Sequence, residues 1–199
     1  MTMKKKSRWK ILFVLSMFVI VMSISLGCSR EAVPGEIMNE DEVQETEIKK
    51  EFRSDSGELA ISATDLWSVD ESLHDGSKLS LYNEEYQSYL IILTDKKELF
   101  SSETSLEHYG ELVAESTMEG LEEGTVSETE KLEINGLEAR SFSVSGLVDD
   151  ISVTYKFLVL EDKSDFHQVV TWSFSENIEN NPEYYDEILH SYTTDEVTD

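Results

Sequence analysis

The hydrophobic positions of this chain follow three regimes. Between Ile11 and Leu26 they form an uncharged block broken only by Ser16, Ser23 and Ser25. From Ser29 to Lys50 they thin into a polar, acidic stretch with Pro34-Gly35 and no aromatic residue. From Glu51 onward they come in short runs bounded by turn residues, which is the pattern of strands with one or both faces buried.

Leu59, Ile61 and Ala63 alternate with polar residues after the turn Ser54-Asp55-Ser56-Gly57, and Asp65-Leu66-Trp67 interrupts the alternation. Leu79 and Leu81 resume the period of two after Asp75-Gly76. Tyr89-Leu90-Ile91-Ile92-Leu93 is apolar on both faces, as a strand covered on both sides must be. Between Thr104 and Gly120 the period becomes helical. Leu106, Tyr109, Leu112 and Val113 fall on one side, and Thr104 with Glu107 has the spacing of a capping box.

Lys131 to Ile134 then faces Leu137 to Ala139 across Asn135-Gly136, a strong signal for a two-residue hairpin. The returning strand is expected to reach about Val144 and to stop at Ser145-Gly146. After a turn at Asp149-Asp150, Ile151, Val153, Tyr155, Phe157 and Val159 share one face, with Leu158 and Leu160 opposite. Beyond the turn at 162–165, Phe166, Val170, Trp172 and Phe174 mark another long strand. Asn181-Pro182 opens a last helix, whose Tyr184, Tyr185, Ile188, Leu189 and Tyr192 lie on one side. The polar tail from Thr193 is expected to fray.

Two amphipathic helices far apart in the chain, with two-sided strands between them, predict an α+β fold. It is a mainly antiparallel sheet flanked by helices, an α/β/α sandwich. This element order, with Trp67 after the opening strands, the Ile134-Asn135-Gly136-Leu137 hairpin and the terminal helix, resembles the PsbP-like (DcrB-like) fold family over about Phe52 to Tyr192. The resemblance implies the sandwich. The partners of that family are diverse, so it carries no functional residue onto this chain.

Charge narrows the partners. The chain holds 42 acidic and 16 basic residues, a net charge of −26. Such a surface repels nucleic acid, whose binding relies on Lys and Arg displacing counterions, and it repels anionic lipid headgroups. A charged partner would be basic.

The start of the chain fixes a compartment. Lys4, Lys5, Lys6, Arg8 and Lys10 precede the apolar block, and Gly27-Cys28 follows it. A basic flank, an apolar core and a small residue before the cut are the parts of a secretory signal, and the block is short of the roughly 20 residues that span a bilayer. Ser25-Leu26-Gly27-Cys28 resembles a bacterial lipoprotein signal, with Leu26 directly before Gly27 and Ser25 where Leu usually lies. The resemblance implies cleavage before Cys28, diacylglyceryl attachment to its sulfur, and anchoring on the extracytoplasmic face of the cell membrane. An uncleaved anchor, or a conventional signal with an incidental cysteine, is the alternative. Cys28 is the sole cysteine, so no disulfide can form within the chain.

The expected organisation is a signal at 1–27, an acidic tether at 28–50, a globular domain at 51–193 and an acidic tail at 194–199. The tether is read as disordered, with a short helix from Asn39 to Lys50 as the alternative.

Candidate chemistry is sparse. His74, His108, His167 and His190 are not spaced for a shared metal and read as ordinary residues. There is no Gly-x-Ser-x-Gly elbow and no glycine-rich phosphate loop. No catalytic residue, metal ligand or cofactor is assigned. Glu103, Glu107, Glu111, Glu115 and Glu119 recur every four residues along the first helix, forming a solvated face or a docking face for a basic partner or cations. Glu84-Glu85, Glu122-Glu123 and Asp149-Asp150 are further oxygen donors, though no loop has the Asp-x-Asp-x-Asp-Gly pattern of a calcium loop. The resulting expectation is a monomeric, lipid-anchored, non-catalytic binding or accessory module. A carboxylate-based envelope hydrolase and a cation-binding accessory lipoprotein are the alternatives.

Overall fold

The computed structural model describes residues 49–195; Cys28, the apolar block and the acidic stretch before Lys49 lie outside the described residues, as do residues 196–199. In chain order the strands and helices are β1 (Lys49–Arg53), β2 (Leu59–Thr64), β3 (Trp67–Val69), β4 (Leu79–Asn83), β5 (Ser88–Lys96), α1 (Leu106–Met118), β6 (Glu122–Val126), β7 (Glu130–Ile134), β8 (Leu137–Val148), β9 (Ile151–Glu161), β10 (Asp165–Phe174), α2 (Ser175–Asn180), α3 (Pro182–His190) and β11 (Thr193–Thr194). Among the described residues an eight-stranded antiparallel sheet has the order β3-β4-β5-β10-β9-β8-β6, with β7 also paired to β8, and β1-β2-β11 form a small second sheet.

The two-sided strands explain the layering. On one face of the large sheet, Phe142, Val144, Phe157, Val159, Phe166 and Val170 meet Leu106, Tyr109 and Ala114 of α1. On the other, Leu90, Ile92, Leu158, Leu160 and Val169 meet Ile188 and Leu189 of α3, Tyr192, and Phe52, Ile61 and Ala63 of the small sheet. Successive residues of β5 and β9 therefore enter opposite cores, as the period of two requires. This is the predicted helix–sheet–helix sandwich, with the second cover completed by three short strands.

Aromatic residues with polar tips fasten α3. Tyr184 Oη accepts a hydrogen bond from Trp67 Nε1 at 2.7 Å and from Asn83 Nδ2 at 3.3 Å. The neighbouring Tyr185 shares a 2.7 Å hydrogen bond with Ser88 Oγ. Trp67 and Tyr185 are fully buried, so their polar atoms need such partners.

The two-residue turns follow the sequence reading. Asn135 and Gly136 have φ of 50° and 85°, and Asp149 and Asp150 have 50° and 66°, as tight hairpins with right-handed strand twist demand. Several boundaries differ. β8 continues through Ser145-Gly146 to Val148, because Gly146 is a packing glycine inside the strand. A Cβ there would lie 2.9 Å from both Glu122 O and Leu121 Cβ, where β6 bulges against β8.

The cap of α1 is Ser105, whose side chain accepts from His108 N, one residue later than the expected Thr104. Asn181 does not cap α3 with its side chain. Its Nδ2 donates back to Asn177 O, since the unforeseen α2 runs directly into it. Lys49 and Lys50, read as tether, are already paired with Thr64 and Ala63. Thr193 and Thr194, read as fraying, are held by backbone pairing to Ala60 and Leu59.

Gly146→Ala should destabilise the fold by about 1–3 kcal/mol, the usual range for overpacking. Gly120→Ala is the control, because its Cβ would meet only Thr117 O at 3.5 Å. Urea denaturation measures both, and equal midpoints would contradict the close approach at Gly146.

Candidate functional site

Antiparallel register places Tyr82 opposite Tyr89, Tyr89 opposite Trp172, and Trp172 opposite Tyr155. Directly opposed residues point to the same face, so four strands contribute one aromatic row to the face that carries α1. The ring centroids are 5.1, 5.2 and 5.8 Å apart in order along the row, with interplanar angles of 28°, 17° and 21°. These spacings follow the strand separation of about 4.8 Å. The rings use their faces on one another.

Helix α1 packs over β6, β8 and β9 and buries the next aromatic pair, Phe142 and Phe157, stacked at 5.0 Å. Tyr82, Tyr89, Tyr155 and Trp172 stay partly exposed. Alternation puts Phe174, 39% exposed, and Ile151, 49% exposed, on the same side. The row lies at the end of the sheet formed by the β4–β5 turn, the β8–β9 turn, the start of β6 and the end of β10.

This end bears exposed carboxylates: Glu84 and Glu85 and Asp149 and Asp150 in turns, Glu122 and Glu123 at the start of β6, and Glu176 in the first turn of α2. Burial raises the Tyr89 phenol above its ordinary range, and Tyr82 and Asp70 raise it further by charge. Burial alone raises Tyr155. Deeper on this face, Tyr109 donates to Asp95 Oδ2 at 2.7 Å and accepts from Gln168 Nε2 at 2.7 Å, which fastens α1 to β5 and β10. Burial, then the Asp95 charge and its hydrogen bond, push the Tyr109 phenol strongly upward against the opposing hydrogen bond from Gln168.

The five glutamates singled out in the sequence are all exposed. Glu107, Glu111 and Glu115 lie on α1, Glu103 precedes it and Glu119 is its C-cap. Glu107 lies 3.8 Å from Lys131, and Glu111 3.2 Å from His108. Among the described residues no group of three or more His, Cys, Asp or Glu side chains gathers to hold a metal ion. Cys28 lies outside the described residues.

Of the histidines, His167 is the informative one. It is 3% exposed, and its Nε2 lies 2.8 Å from Asp162 Oδ2. Asp162 Oδ1 also accepts from the backbone N–H of Ser164 and Asp165, each at 2.7 Å. The cluster closes the β9–β10 turn. The aromatic row was missed because each ring reads in the sequence as one half-buried strand position; only the pairing partners of β5 and β10 align them.

The sequence matches no family model and no curated protein. Its structure is similar to the solution structure of cyanobacterial PsbP (CyanoP) from Synechocystis, with a TM-score of 0.52 and 9% identity over 73% of this chain and 92% of that one. LpqN, involved in cell envelope biogenesis of Mycobacterium tuberculosis, gives 0.51 and 9% over 73% and 90%. A Bacteroides thetaiotaomicron protein gives 0.53 and 10% over 74% and 49%. The chain thus has a PsbP-like α+β fold.

The raised phenols set an alkaline limit. The folded state favours the neutral form of Tyr89, Tyr109 and Tyr155, so their contribution is intact below the ordinary value of 10.0 and is lost as pH rises above it. Urea midpoints should be insensitive to these groups at neutral pH and fall above about pH 10. Phenolate absorbance should show a late-ionising class that joins the rest on unfolding; a single class at the ordinary value would contradict the burial.

Proposed function

We propose that the chain is a non-catalytic accessory module, anchored through a lipid on Cys28 at the extracytoplasmic face of a bacterial cell membrane, and that it binds a protein partner with the aromatic end of its large sheet. The observation that carries this reading is the row Tyr82-Tyr89-Trp172-Tyr155, partly exposed beyond α1. Tyr and Trp are enriched at the centres of protein interfaces, where they bury large area while losing little side-chain entropy.

The signal supports the location. An acylated Cys28 would hold the domain near other envelope proteins and raise its effective concentration there. No helix among the described residues is long and apolar enough to cross a membrane; the proposed attachment is the lipid on Cys28. Two or more acyl chains give stable anchoring, each buried CH₂ contributing about 0.8 kcal/mol. The similarity of fold to LpqN, a protein of cell envelope biogenesis, is compatible with an envelope setting.

Cys28→Ala should release the protein from the membrane fraction or leave it as an uncleaved precursor. Fractionation with mass spectrometry of the native amino terminus distinguishes the two. A wild-type chain that keeps Met1 or a bare Cys28 thiol would overturn the anchor.

A further inference from the structure

Resting on the reading of the aromatic end as a binding face, we propose that its occupant is a basic segment of another protein, with Arg or Lys flanking a short apolar centre. The argument is the distribution of charge along the strand direction. At the aromatic end, the β4–β5 turn, the β8–β9 turn and the start of β6 carry only acidic charge: Glu84-Glu85, Asp149-Asp150 and Glu122-Glu123. Lys78, Lys96, Lys97 and Lys163 lie toward the opposite end, where Glu161, Asp162 and Asp165 accompany them, and Lys156, next to Tyr155, is buried and pairs with Asp186 of α3. The apolar row is therefore framed by carboxylates.

That frame selects among occupants. A second copy docking through the same patch would oppose one carboxylate rim to another, because a two-fold interface is self-complementary only if its charges alternate. An anionic lipid surface is repelled by the same rim. A segment with guanidinium or ammonium groups outside an aliphatic or aromatic centre meets both features. Its apolar part lies against the partly exposed rings, and its cations reach the exposed rim carboxylates. The rings are already partly buried and stacked, so they are ordered before the partner arrives and little rotamer freedom is lost on docking.

The test uses the full-length protein in detergent, labelled with 5-fluorotryptophan, and three peptides of equal length and leucine content whose remaining positions are Arg, Gln or Glu. Trp172→Phe identifies the Trp172 fluorine resonance. The Arg peptide is expected to shift that resonance and to bind at least about tenfold more tightly than the Gln and Glu peptides. Glu84→Lys with Glu85→Lys, in exposed turn positions, should weaken it by about tenfold, whereas Glu107→Lys with Glu111→Lys on α1 should not.

Equal binding of the Arg and Gln peptides at Trp172 would overturn the basic occupant and leave the face. A Trp172 resonance that responds to no peptide would overturn the face itself. Loss of binding in the α1 variant alone would move the site to the helix. A Trp172 shift that depends on protein concentration would make a second copy the occupant.

Discussion

A sheet whose central strands are apolar on both sides needs two covers, and on one side this chain supplies too little. α1 has 13 residues, about 20 Å of helix at 1.5 Å per residue. β9 has 11 residues, about 36 Å of strand. The opposite face is covered by α3 and the small sheet, which bring Phe52, Ile61, Ile188, Leu189 and Tyr192 onto it. The face under α1 is closed by the helix over Phe142 and Phe157, by Leu73, Phe100 and Leu121 from flanking loops, and by ring-on-ring stacking beyond. Stacking hides the aromatic faces from water without a second helix, and the four residues stay partly exposed.

Much of this was legible in the sequence, and the part that was not has a common cause. Periodicity reports which residues share a face within one element. It gave the two-sided β5, the opposed faces of β9 and the apolar side of α3 correctly, except that Tyr192, buried in the same core, lies beyond the helix end at His190. Turn chemistry gave Asn135-Gly136 and Asp149-Asp150. Features set by partners distant in sequence were hidden. Gly146 reads as a strand stop, but its meaning depends on β6 crossing over it. Thr193 and Thr194 read as a loose tail, but their order comes from β2. The aromatic row is the same case, since four rings in four strands become one feature only through register. β6, with the sequence EEGTV and four of its five residues exposed, has no apolar period to read.

The fold survives at 9–10% identity to its structural neighbours, which is what a pattern-specified sandwich permits. Here the surface combines strong acidity with one partly exposed aromatic row. Those two properties, with the signal expected at the start of the chain, carry the functional reading; the fold does not.

The small sheet has a consequence for how the protein matures. Its central strand β2 is flanked by β1, the first strand of the described chain, and by β11, which begins only three residues after α3 ends. The second hydrophobic layer can thus close only when β11, which follows the whole large sheet in the chain, has reached β2, which precedes it. Under the proposed export from the amino end, β2 lacks its second neighbour until β11 has followed it across.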